Sequence, residues 1–68
     1  DQSGIELTQR EEDVLRLIAR EHTTAEIAQK LYISENTVDT HRKNLMSKTN
    51  SRNVVGLVRY AIEKGLHT

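Results

Sequence analysis

Cysteine, proline, phenylalanine and tryptophan are all absent from this 68-residue chain, and glycine occurs only three times. The lack of cysteine excludes disulfide staples and thiolate metal sites and fits a reducing compartment. The lack of proline means that no position is barred from a continuous helical backbone. The aromatic complement is two tyrosines, so a core has to be built from Leu, Ile and Val stripes on packed helices. No apolar run approaches the roughly 18 residues of a membrane span, and no signal peptide is recognisable. At this size folding buries only about 60% of the surface of the unfolded chain, which leaves room for one core and none for a deep catalytic cleft.

A net charge is lacking too, since ten basic residues balance ten acidic ones. That is unusual for a nucleic-acid binder, whose phosphate contacts leave a basic footprint. The two halves nevertheless differ. Residues 1–35 carry four bases against eight acids, a balance of −4, whereas residues 36–68 carry six bases against two acids, a balance of +4. Such a chain can present a basic face while remaining neutral, although charges that merely solvate helix surfaces would give the same tally.

What is present is a series of helix-start signals. Thr8-Gln9-Arg10-Glu11 has the spacing of a capping box, followed by an apolar stripe of Val14, Leu15 and Ile18 with Leu17 beside it. Thr23-Thr24-Ala25-Glu26 repeats that chemistry ahead of Ile27, Ala28 and Leu31. Ser34 is an N-cap two residues after Tyr32, and Val38, Leu45 and parts of His41 and Arg42 are expected to face inward behind it. Asn53 can cap a last helix that Gly65 closes in a left-handed conformation, with Leu66 turning back onto the core. The pattern predicts an all-α chain with helices at about 8–20, 24–32, 35–48 and 54–64. The tight connection after Tyr32 forces the second and third into an angled helix-turn-helix pair. Residues 1–6 read as the polar remnant of a linker, and residues 7–66 as the domain.

With about 100° per residue and Val38 as the inward centre, the opposite side of the third helix carries Asn36, Thr40, Lys43 and Ser47, flanked by Asp39 and Asn44. A polar, hydrogen-bonding face on the second helix of an angled pair is the geometry that reads a major groove. The fourth helix has a surplus. Leu57, Tyr60 and Ala61 can cover the core, while Val54, Val58 and Ile62 form a second stripe beside Val55. That stripe suits a partner surface, or simple wrap-around packing.

The ordered motifs Leu7-Thr8-x-Arg10-Glu11, Thr23-x-x-Glu26-Ile27-Ala28 and Ile33-Ser34-x-x-Thr37-Val38-x-x-His41, continuing through Lys48 to Tyr60-Ala61 and Gly65-Leu66, closely resemble the LuxR/FixJ (GerE-like) family of bacterial helix-turn-helix domains. The resemblance implies the C-terminal output domain of a response regulator in a two-component system, acting in the cytoplasm on double-stranded DNA. It also implies an operator with two half-sites, a homodimer formed through the fourth helix at Val54, Val55, Val58 and Ile62, and RNA polymerase as a further candidate partner. No cofactor is implied.

By the same resemblance Thr37 and Lys48 hold phosphates, and Thr40 meets base edges or a thymine methyl. The competing role for Thr37 is local capping with Ser34. Lys43 can donate to guanine O6/N7 or to phosphate, or remain a solvated lysine. Asp39 stands where relatives often carry a cation; it can accept from cytosine N4, or simply favour the positive helix end. Asn36 and Asn44 complete the candidate base-reading set. Arg42 and Arg52 are further phosphate candidates, and Thr24 clamps the backbone from the other side. For Arg42, burial of the stem with an exposed head competes. His41 fits a packing role with a hydrogen bond.

Four positions depart from the family pattern. Glu21 and Tyr32 stand where glycine is usual, Thr49 where leucine is usual, and Val54 in place of a frequent arginine. Tyr32 must then adopt a backbone that glycine accepts more readily, or the turn must differ locally. His22, His41 and His67 show no metal-ligand spacing and no nucleophile-and-base arrangement appears, so nothing supports an enzyme. The rival readings are a sigma-factor promoter-reading domain and a helical protein-interaction module.

Overall fold

Thr8 and Thr23 each accept a hydrogen bond from the amide of the glutamate three residues on, and each glutamate carboxylate accepts from the threonine amide in return. These two capping boxes open the first two of four α-helices in the computed structural model, which describes residues 6–66. The helices are α1 (Gln9–Ala19), α2 (Thr24–Leu31), α3 (Glu35–Thr49) and α4 (Val54–Glu63). Ser34 and Asn53 cap α3 and α4 through the amides of Thr37 and Gly56. The all-α helix-turn-helix reading is borne out, each boundary falling within one residue of its expected place. Of the expected linker remnant, residues 1–5 lie outside the described residues, as does His67.

All four helices stop in the same way. A residue with left-handed backbone follows each one: Glu21 (φ 68°), Tyr32 (φ 59°), Asn50 (φ 56°) and Gly65 (φ 71°). The next amide then reaches back to satisfy a last-turn carbonyl: His22 to Leu17, Ile33 to Ala28, Ser51 to Met46 and Leu66 to Ala61, at 2.7–3.1 Å. The arrangement meets carbonyls that a helix end otherwise leaves without partners. Tyr32 does adopt the conformation that glycine would take more easily, and its side chain is 93% exposed.

The core draws on every helix. Val14, Leu15 and Ile18 of α1, Ile27 and Ala28 of α2, Val38 and Leu45 of α3, and Leu57 and Ala61 of α4 are buried together. Ile33, between α2 and α3, and Leu66, after α4, pack against this cluster. Anchoring Ile33 fixes the angle at which α3 leaves α2, because the residue before a helix cap sets the entry of the chain. Thr49, standing at a usual leucine position, is accommodated without an unmet polar group. Its hydroxyl donates to the Leu45 carbonyl at 2.8 Å and shares a 2.6 Å hydrogen bond with Ser51. Ser51 in turn lies where a side chain at Gly56 would sit, the nearest Ser51 atom being 3.1 Å from a Cβ built there.

Candidate nucleic-acid interface

The apolar residues of α3 turn inward. Val38 and Leu45 are buried, Met46 is half-buried, and Asn36, Thr37, Asp39, Thr40, Lys43, Asn44 and Ser47 are all exposed. His41 and Arg42 lie half-buried at the margin, as the helical periodicity predicts. The outward flank of α3 is therefore a continuous polar surface, held on the second helix of the angled pair.

At its N-terminal end the Ser34 hydroxyl accepts from the Thr37 amide at 3.1 Å and shares a 2.9 Å hydrogen bond with the Thr37 hydroxyl. Local capping is thus one occupation of Thr37. The amides of Glu35 and Asn36 precede any possible intrahelical acceptor, so the first turn keeps donors and the positive end of the helix dipole directed outward. Thr40 donates its hydroxyl proton to the Asn36 carbonyl at 3.1 Å. What it offers outward is then a methyl group and the acceptor lone pairs of its oxygen. Lys43 and Asp39 are exposed on the same flank, and neither forms a salt bridge among the described residues.

Two cations expected at phosphates reach other protein groups. Arg42 Nη1 donates to the Thr24 hydroxyl at 2.9 Å, tying α3 to the first turn of α2. A hydroxyl that accepts from a guanidinium keeps its own proton for donation, so Arg42 leaves Thr24 a donor. Lys48 Nζ donates to Glu11 Oε1 at 2.8 Å and to the Glu6 carbonyl at 3.2 Å. Arg52 is exposed in the turn between α3 and α4.

Glu11 had been visible in the sequence only as a capping glutamate. It is 3% exposed, and its carboxyl is held below the usual glutamate value. Burial, the largest single influence, pushes it upward. Hydrogen bonds from Lys48 and the Thr8 amide, with the charges of Lys48 and His41, together outweigh that effect. The available signal was its place on the inward face, one turn before Val14 and Leu15, where an unpaired carboxylate would be strongly disfavoured. Its partner stands 37 residues away, a separation that no local pattern encodes.

On α4 the expected second stripe is only partly outside. Val54, Val55 and Ile62 are 38%, 67% and 54% exposed, whereas Val58 is half-buried and packs against the core. Together they line one shallow groove with Arg59 and Glu63.

Four short helices around one aliphatic core, with a tightly coupled second and third helix, define a helix-turn-helix domain. The chain belongs to the luxR family of bacterial regulatory proteins, whose pattern it matches over residues 6–61. It is 45% identical over 60 residues to the transcriptional regulatory protein MctR of Rhizobium johnstonii, covering 88% of this chain and 28% of that protein. It is 41% identical over 66 residues to the response regulatory protein YgeK of Escherichia coli K12, covering 97% of this chain and 45% of YgeK. It is 46% identical over 59 residues to the regulatory protein SdiA of the same bacterium, covering 87% of this chain and 25% of SdiA. The chain thus spans less than half the length of these relatives.

Proposed function

We propose that this domain binds double-stranded DNA sequence-specifically as the output part of a bacterial transcription regulator, with α3 lying in the major groove. The observation that carries this reading is the division of α3: its apolar residues are turned into the core, and its exposed flank is polar from Asn36 to Ser47. In this reading Thr40 and Lys43 meet base edges, with Asn36, Asp39 and Asn44 around them. Thr40 offers its methyl to thymine or its oxygen to an adenine or cytosine amino group. Asp39 accepts from cytosine N4, which separates the operator from those read by relatives with a cation at that place.

Phosphates are met by the first turn of α3 with Thr37, by Arg52, and by Thr24 as the donor that Arg42 prepares. These contacts set register and carry no sequence information. Two copies join through the α4 groove, which accounts for large apolar side chains left exposed on a domain with one core. An isologous pair of this kind matches a two-half-site operator. The regulator acts in the cytoplasm, and RNA polymerase is a further partner.

The test is binding to a duplex selected from a random pool. Replacing Lys43 with alanine should weaken binding to that duplex by about 1–3 kcal/mol, roughly five- to 150-fold, while leaving helicity and thermal stability unchanged. Unchanged affinity would remove Lys43 from the reading face. Salt-independent or absent binding of the parent domain would instead favour a helical protein-interaction module.

A further inference from the structure

The C-terminal half of α3 has few apolar anchors. Leu45 is its last fully buried residue, Met46 is half-buried, and the Thr49 hydroxyl bonds to its own helix and to Ser51 instead of reaching α1. A polar tie from this end to α1 runs through Lys48. Its ammonium sits 2.8 Å from Glu11 Oε1, which also accepts from the Thr8 amide at 3.0 Å, and 3.2 Å from the Glu6 carbonyl. Two of three ammonium protons are thereby engaged on α1 and the residues before it. Drawing Lys48 away to a phosphate would leave Glu11, 3% exposed, as a buried carboxylate without its counter-charge.

We infer that Lys48 and Glu11 form a latch that sets the placement of the reading helix against α1, so that Lys48 is a positioning residue for DNA recognition and not a phosphate ligand. The inference rests on the DNA-binding reading for its consequence and on the hydrogen-bond geometry for its mechanism. Base readout depends on side chains held within fractions of an ångström. Phosphate contacts tolerate more adjustment and supply the sequence-independent part of binding. Loosening one end of α3 therefore lowers discrimination between DNA sequences more than it lowers affinity for DNA in general.

Glu11→Gln separates the alternatives. Glutamine at this position can still accept from the Thr8 amide, so the capping box survives and the ion pair does not. Affinities of the parent domain, Glu11→Gln, Lys48→Met, Lys48→Arg and the double variant are measured by fluorescence anisotropy. The probes are a selected duplex and a mixed-sequence duplex, over a range of salt, at temperatures where each protein is folded.

Glu11→Gln and Lys48→Met should each reduce the ratio of selected to mixed-sequence affinity about tenfold. The slope of log affinity against log salt should stay unchanged, the double variant should be no worse than either single, and Lys48→Arg should restore discrimination. If Lys48→Met instead lowers the slope by about 0.9 while Glu11→Gln leaves binding unchanged or stronger, Lys48 is a phosphate ligand and the latch is wrong. Unaltered discrimination in both single variants also overturns it. Should the parent domain bind no DNA, the DNA reading fails separately, and the latch is tested by residual dipolar couplings. Glu11→Gln must then reorient α3 relative to α1, and unchanged couplings contradict it.

Discussion

Tyr32 and Glu21 hold backbone conformations that glycine adopts at lower cost, with φ near 60–70°. For a residue with a Cβ the left-handed region is unfavourable by roughly 1–2 kcal/mol, offset in part by the entropy that a glycine would lose on folding. Tyr32 regains nothing by packing, being 93% exposed. Tyr32→Gly should therefore stabilise the domain by up to about 1 kcal/mol, the full amount corresponding to a rise of roughly 4–8 °C in melting temperature for a chain of this size. Thermal unfolding followed by circular dichroism checks this, and a fall in melting temperature would show that the tyrosine has an unrecognised structural role.

The strain at Tyr32 was legible as one of two outcomes, because the resembled family usually has glycine at that place and a tyrosine there requires either this backbone or a different turn. The intramolecular partners of Lys48 and Arg42 were not. Sequence spacing identifies them as cations near one end or one margin of a helix, but the acceptors, Glu11 and Thr24, come from other helices. Only the packed fold brings them within reach. The Glu11 carboxyl also gives the pair a pH signature. A glutamate whose value is lowered on folding adds stability that is fully present above its unfolded value, and that stability is lost as pH falls through the lowered one. Glu11→Gln should consequently flatten the acid limb of a stability-against-pH curve below the ordinary glutamate range. Denaturant unfolding at a series of pH values measures it, and an unchanged acid limb would contradict the pairing.

Among the elements, α1 to α3 were readable because capping residues and inward stripes agree with one another. Thr8, Thr23 and Ser34 each stand at the place where an apolar periodicity of 3.6 begins, and consistency between local signal and burial is what makes a boundary legible. The fourth helix was ambiguous because it has apolar residues on two sides, and the periodicity alone does not say which stripe the core takes. Packing resolves it, with Leu57 and Ala61 buried and Val58 drawn half inside. Val58 is thus a poor probe of association, since a charge there would disturb the fold as well. Ile62, 54% exposed, is the better one. Ile62→Asp should weaken binding to a two-half-site duplex about tenfold or more, with little change for a single half-site and no loss of helicity. Equal losses on both duplexes would argue against a dimer through α4.

For the molecule as a whole, neutrality conceals a division of labour. Its acidic excess belongs to the stretch containing α1 and α2, and its basic excess to residues 36–68, which hold most of α3 and all of α4. Two cations of that second stretch bond to other helices, Arg42 to Thr24 of α2 and Lys48 to Glu11 of α1, and Lys43 is an exposed base on the outer flank of α3. In the proposed reading, recognition depends on a mostly uncharged polar surface whose position is fixed from behind. That surface was legible because helical geometry alone projects Asn36, Thr40, Lys43 and Ser47 to one side, whereas the supports behind it depend on long-range packing.

The most direct test is an NMR spectrum of the isotope-labelled domain bound to a selected unlabelled duplex, read for intermolecular contacts from the Thr40 methyl. With α3 in the major groove, that methyl should contact base protons or thymine methyls there, and the largest amide shifts should fall between Asn36 and Ser47. Contacts confined to α4 or to the outer side of α1, with the α3 signals unmoved, would contradict it.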